Sequence, residues 1–123
     1  MIYTLPMFSS LLSELPQITF SGTNLYIKLK GYDCDDIYSE VELIFQEVHY
    51  FSKVNALFSA NTIEAYDKVL EIFNSSIILQ LMEANRNLFE KMNKNQELKH
   101  YSLYLDGYDG YNIVCKSIEI KEL

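Results

Sequence analysis

The chain has 123 residues, of which 49% are hydrophobic, and its 17 Asp and Glu against 10 Lys and Arg give a net charge of -7. This length fits one domain with its own core, and the few Gly and Pro residues argue against long disorder. No stretch approaches the roughly 20 apolar residues that span a bilayer, and the acidic balance disfavours nucleic acid and anionic membranes as partners. The first residues lack the basic start and apolar run of a signal peptide, so the sequence predicts a cytoplasmic protein.

The first half of the chain is patterned mainly as β-structure. Residues 9–15 carry leucines at helical spacing and predict one or two helical turns before Pro16. Residues 17–20 predict a short strand. Residues 25–30 alternate apolar side chains with Tyr and Lys, which predicts a strand with one buried face.

Two strands change the face on which their apolar residues lie. Apolar side chains occupy odd positions over residues 41–45 and even positions over residues 48–50. Because a strand has a period of two, this change requires an extra residue, and we predict a β-bulge at 46–47. The same change across Lys116 predicts a second bulge. The open alternative is that both faces are covered, so that parity matters less.

A helix is predicted after a serine-rich cap. Residues 65–73 fit a helix or a strand, and we favour a strand at 68–73 because the cap 74–76 follows immediately. An amphipathic helix is then expected over residues 76–92, docked on the sheet by its apolar stripe. The residues expected to make this contact are Ile78, Leu81, Met82 and Leu88.

The last part of the chain predicts a tyrosine-rich β-hairpin. Two β-type runs flank a glycine-bearing turn at 107–110, which is expected to be exposed. Together the patterns predict an α+β fold. Its expected form is a curved antiparallel sheet or partial barrel of roughly five to seven strands with one main helix packed on it.

No catalytic motif is apparent. The aspartates of residues 33–36 lack the ligand spacing of a calcium loop, and the Cys and His spacings typical of zinc sites are missing. The sequence cannot place His49 or His100 beside a nucleophile. We therefore predict a non-enzymatic protein without a catalytic, cofactor or metal site, and with both cysteines as free thiols.

The hairpin is the predicted partner-binding surface. Tyrosine is enriched at protein interfaces because it offers a large area at low entropy cost and carries a polar tip. We expect the ring at the tip of the turn to lie away from the core. The alternative is that the tyrosines pack as edges of the core. The predicted contact residues are Tyr104, Asp106, Tyr108, Asp109 and Tyr111.

The C-terminal half also carries a family-like pattern. It runs from residues 65–71 through the cap 74–76 to the strands at 99–106 and 113–119. This pattern resembles a group of small, poorly characterised bacterial proteins that look like immunity proteins of contact-dependent or secreted toxin systems. The resemblance implies an immunity-type inhibitor that binds a toxin.

The sequence as a whole favours a protein that works by binding a basic protein. An acidic surface would steer such a partner toward it, although a charge of this size can also serve solubility alone. Homo-oligomer formation is left open. The alternative is a small-molecule binder or enzyme with a pocket between sheet and helix. That pocket would be lined by Tyr26, Phe45, Tyr101, Tyr104 and Tyr111, with His49.

Overall fold

The computed structural model describes residues 2–55, 65–87 and 97–123. Within these ranges the chain forms nine β-strands, one α-helix and a short 3-10 helix at Ser9–Leu11, which confirms the α+β class. The elements are β1 (Tyr3–Thr4), β2 (Gln17–Ser21), β3 (Asn24–Tyr32), β4 (Tyr38–Gln46), β5 (Tyr50–Val54), β6 (Lys68–Ile72), α1 (Ser76–Ala84), β7 (Lys99–Leu105), β8 (Asp109–Cys115) and β9 (Ser117–Glu122).

The strands form two antiparallel sheets that enclose the core. The larger sheet has the order β1-β6-β7-β8-β5, and the smaller sheet has the order β2-β3-β4-β9. Alternate residues of the central strands point into the space between the sheets, as the period of two requires. The buried core there includes Leu25, Ile27, Leu29, Val41, Leu43, Phe45, Val69, Leu103, Leu105 and Ile113.

The two predicted bulges lie where the chain changes sheet. β4 ends in the smaller sheet and β5 begins in the larger one, while Lys116 separates β8 from β9 in the same way. The Lys116 N–H donates to the Gln46 carbonyl at 2.9 Å, so the two crossings lie side by side. Between the paired residues Gln46–Ser117 and Tyr50–Val114, the three residues 47–49 lie opposite only the two residues 115–116. The extra residue turns a corner between two sheets, which strands achieve through bulges or bends.

The expectation of a curved antiparallel sheet with one helix packed on it is confirmed in outline, but the described residues form nine strands in two sheets rather than five to seven strands. Each of the two long predicted strands divides into two at the corner, and the sheets are not joined into a closed barrel. Side chains link the remaining edges. The Phe20 and Phe51 rings meet edge-on at 5.7 Å between their centroids, and the Tyr3 hydroxyl donates to the Glu122 carboxylate.

The strand and cap predicted before the helix are confirmed. β6 covers most of the predicted strand, and the Ser75 side chain caps α1 by accepting the Ile78 N–H at 3.2 Å. The helix lies against β7, on the outer face of the larger sheet. Among the described residues, no helix has the length and apolar character needed to cross a membrane.

The predicted docking of the helix holds only in part. Ile78 and Leu81 are half-buried, but Met82 is 45% exposed and no residue of α1 is fully buried. Met82 is therefore corrected to a surface residue. The helix α1 ends at Ala84, with Asn85 as its C-cap, rather than continuing unbroken to residue 92. Residues 88–92, including Leu88, lie outside the described residues. The helix therefore packs loosely over the outer face of β7. A stripe of apolar residues in the sequence does not by itself show how deeply a helix packs.

The outer face of the larger sheet is buried as well. His100, Ser102, Tyr104 and Val114 point to this face, and each is at most 7% exposed. Both faces of β7 and β8 are thus covered. Apolar residues on both faces of a strand were also predicted to mean that both faces are covered. This alternative describes the central strands of the larger sheet.

Candidate functional site

One end of the sandwich brings the β3–β4 loop and the β7–β8 turn together. The Phe8 N–H donates to the Tyr32 carbonyl at 3.0 Å, where β3 ends. The Ser9 hydroxyl accepts the Asp106 N–H at 2.7 Å, where β7 ends. Because Phe8 and Ser9 are consecutive, the ends of the two sheets lie side by side. We call this region the acidic end and define it as residues 8–15, 32–38, 65–67 and 106–109.

Carboxylates are concentrated at the acidic end. Two of them form ion pairs, Glu14 with Lys30 at 4.0 Å and Asp109 with Lys53 at 3.2 Å. The others have no ion-pair partner among the described residues. The local field is therefore negative and favours a cationic partner. The seven carboxylates are Glu14, Asp33, Asp35, Asp36, Asp67, Asp106 and Asp109.

The β3–β4 loop holds its acidic residues in a fixed shape. The Asp33 carboxylate accepts the backbone N–H groups of Asp35 at 2.8 Å and Ile37 at 3.0 Å, which is the local role that Asp commonly takes in turns. Ile37, which precedes β4 at the end of this loop, is 58% exposed. Across the parts of the chain that the structure covers, no group of three or more His, Cys, Asp or Glu side chains is arranged to hold a metal.

Large apolar side chains are exposed among these carboxylates. The rings of Tyr32 and Tyr38 pack against each other across β3 and β4, with centroids 5.3 Å apart. The Tyr38 hydroxyl donates to Glu40, and this contact raises the pKa of Tyr38. Exposed aromatic and aliphatic side chains ringed by polar groups are typical of protein interfaces. Those exposed at the acidic end are Phe8, Leu11, Leu15, Tyr32, Ile37, Tyr38 and Tyr66.

The predicted contact residues of the hairpin divide between surface and interior. Asp106, Asp109 and Tyr108 lie at the acidic end, but Tyr104 is only 7% exposed and Tyr111 only 2%. These two rings belong to the interior, so they do not form the surface predicted for them. Burial raises the pKa of Tyr111 to about 12, and its hydroxyl donates to the Tyr108 carbonyl at 2.8 Å.

Tyr108 differs from its prediction in another way. It is half-buried and packs against the core, on the side where the turn faces Leu15 and Pro16 across a shared cavity. A cavity of about 250 Å³ lies there, lined by Leu15, Pro16, Tyr108 and Tyr111 among others. The exposed turn is 106–107 rather than 107–110, since Gly110 is buried.

A buried carboxylate lies beneath the acidic end. One oxygen of Asp67 accepts the Ser9 N–H at 3.2 Å, but the other is buried with no hydrogen-bond partner among the described atoms. Desolvation raises the pKa of Asp67, and the nearby Asp106 charge raises it further. The charged form of Asp67 is thus disfavoured in the folded protein.

We expect Asp67→Asn to stabilise the protein at neutral pH by up to about 1 kcal/mol, because it removes an unsatisfied buried charge. Since the pKa of Asp67 is higher in the folded state, the folded protein binds the proton more readily, and its penalty disappears as pH falls below the unfolded value of 3.8. The advantage of the variant should therefore shrink toward acid pH. Urea denaturation at pH 7 and at a pH below 3.8 measures the difference in stability between the variant and the native protein. The exposed residue Asp35 gives the control variant, Asp35→Asn. A variant less stable than the native protein at pH 7 would contradict this.

A second candidate site lies between α1 and the larger sheet. A cavity of about 290 Å³ opens there, but its lining residues differ from those predicted for a pocket between sheet and helix. The histidine at this cavity is His100 rather than His49. The lining includes Glu71, Ile72, Phe73, Asn74, Ser75, Ile78, Leu79, Glu97, Lys99 and His100.

A chain of buried hydrogen bonds borders this cavity. Ser75 Oγ lies 2.7 Å from His100 Nδ1, and His100 Nε2 lies 2.8 Å from Asn112 Oδ1. Ser75 was predicted only as a helix cap, and Asn112 was not among the predicted site residues. The register of the hairpin was the available signal, because it places His100 and Asn112 diagonally on one face of β7 and β8.

Comparison with known proteins identifies no relative. No protein-family model, curated protein or solved structure matches the chain. The resemblance to immunity proteins therefore stays a prediction.

Proposed function

We propose that this protein binds a basic protein through the acidic end and acts as an immunity-type inhibitor of a basic toxin. The observation that carries the proposal is the meeting of six surface carboxylates, those of the acidic end other than buried Asp67, and exposed aromatic rings on one surface. A surface that carries mainly negative charge accelerates association with a cationic partner. The exposed rings of Tyr32 and Tyr38 would supply the apolar contact that holds it.

The outer face of the smaller sheet offers no comparable field. Lys28 pairs across the strands with Glu42, which in turn pairs with Lys121. Opposite charges thus alternate across this face, so their fields largely cancel. Exposed Glu119 lies on the same face and provides a matched control for charge changes at the acidic end.

The test uses the products of the genes next to the one that encodes this protein, each purified and titrated by calorimetry at low and high salt. Asp35→Lys and Tyr38→Ala should each weaken binding about tenfold or more, which corresponds to about 1.4 kcal/mol, as at interface hot spots. Glu119→Lys makes the same charge change as Asp35→Lys but should leave the affinity within about twofold of the native value. The affinity of the native protein should fall as the salt concentration rises.

Two results would overturn the proposal. One is an absence of binding at low salt. The other is an equal loss of affinity in Asp35→Lys and Glu119→Lys, because net charge rather than the acidic end would then control binding.

A further inference from the structure

We propose that Ser75, His100 and Asn112 form a nucleophilic site that cleaves small acyl esters in the cavity between α1 and strands β6 and β7. This activity is separate from partner binding at the acidic end. It rests on three independent observations: a directed chain of hydrogen bonds, the position of the serine at a helix start, and a cavity that both reacting side chains line.

The hydrogen bonds define the proton positions. Asn112 Oδ1 can only accept, so the His100 nitrogen that faces it at 2.8 Å, Nε2, carries the hydrogen. In neutral imidazole the other nitrogen, Nδ1, then holds a free electron pair toward Ser75 Oγ at 2.7 Å. The serine hydroxyl therefore donates to His100. This is the order of nucleophile, base and orienting group that activates a serine.

The start of α1 favours negative charge on the reacting oxygens. Ser75 precedes a nine-residue helix, and its Oγ accepts the Ile78 N–H at 3.2 Å. The first N–H groups of a helix have no acceptor within it, and the helix dipole is positive at this end. An alkoxide on Ser75 and the oxyanion of a bound ester would both be stabilised here.

The cavity limits the substrate to a small, partly apolar ester. Ser75 is 6% exposed and His100 5%, so they are shielded from bulk water except through the cavity that they line. Its volume of about 290 Å³ lies near the lower end for ligand sites. Ile78 and Leu79 offer an apolar wall for a short acyl chain.

The reaction balances with water as the only co-reactant. Ser75 Oγ attacks the ester carbonyl carbon while its proton passes to His100 Nδ1. The bond to the leaving alcohol then breaks, and His100 returns the proton to that alcohol. Water, deprotonated by His100, attacks the acyl-Ser75 ester, which releases the acid and restores both side chains.

The test follows p-nitrophenyl acetate hydrolysis and covalent labelling by a fluorophosphonate, with the labelled residue mapped by tandem mass spectrometry. Because Cys34 is an exposed thiol, the reference protein is the Cys34→Ser variant, and every other variant also carries this substitution. The reference protein should label at Ser75. Ser75→Asn should not label, yet should remain folded because Asn is also a good helix cap. The adjacent exposed hydroxyl gives the matched control, so Ser76→Ala should label at the reference rate.

His100→Gln should reduce the labelling rate on the order of 10²- to 10⁴-fold, as expected for loss of a general base. Asn112 is a positioning residue, so Asn112→Ala should slow labelling and also change its dependence on pH, because the Nε2–H of the imidazolium loses its acceptor. Circular dichroism establishes that each variant is folded. A folded reference protein that does not label at Ser75 overturns the proposal, and so does a His100→Gln variant that labels at the reference rate.

Discussion

Phe45→Ala should lower the free energy of unfolding by about 3–5 kcal/mol, the usual cost of removing a buried aromatic ring. Phe45 is fully buried on β4, and its ring centroid lies 5.9 Å from that of Tyr101 on the opposite sheet. The substitution removes apolar contacts to both sheets and leaves a cavity that strands paired on either side cannot readily fill. Urea denaturation followed by circular dichroism measures the loss.

Phe20 provides the control for this prediction. It is the same residue type but is 51% exposed at the seam between β2 and β5. Phe20→Ala should therefore cost distinctly less than Phe45→Ala, on the order of 1 kcal/mol for loss of an aromatic pair. Equal costs would mean that the space between the sheets is not the main core.

Gly31→Ala should destabilise the fold by about 1–3 kcal/mol through overpacking and should loosen the acidic end. A Cβ atom at Gly31 would lie 2.7 Å from the Leu11 carbonyl oxygen and 2.9 Å from the Leu12 Cα. Both are backbone atoms, so the neighbouring segment must move. That segment is held to β3 by the N–H groups of Phe8 and Ser13.

Hydrogen exchange separates the local effect from the global one. In Gly31→Ala the amides of Phe8 and Ser13 should exchange faster than the rise in global unfolding explains. Gly22→Ala is the comparison, because Gly22 has a φ of 61° and nothing within 4 Å of the added carbon. It should cost stability through backbone strain while leaving these two amides protected relative to global unfolding. Unchanged protection in Gly31→Ala would contradict the expected movement.

The elements predicted most accurately are those set by neighbouring residues. The strand before Asn74 and the Ser75 cap follow from a few adjacent side chains, and the structure confirms both. The hairpin of β7 and β8 was likewise visible from two β-type runs around a glycine turn. The place of the two irregularities, near Gln46 and Lys116, was also correct, because a break in the period of two is a local signal.

The predictions that were wrong concern which side chains are buried and which are exposed. The sequence placed Tyr104 and Tyr111 on a binding surface, but one is covered on the outer face of the larger sheet and the other lies in the core. Tyrosine has both an apolar ring and a polar tip, so its spacing fits a core edge as well as an interface. Tyr108 packs against the core for the same reason, and only the folded chain brings Leu15 and Tyr108 to the same cavity.

The α+β class, the acidic charge and the positions of several strands and of the helix cap could all be predicted from the chain's residues, because they depend on composition and short-range spacing. The folded structure alone shows that the breaks in parity are corners between two sheets. It also decided that the aspartates of two distant loops share one end, and that Ser75, His100 and Asn112 form one chain of hydrogen bonds. The physical reason is that strand spacing defines the face of a side chain, whereas its neighbours depend on backbone pairings between residues far apart in the chain.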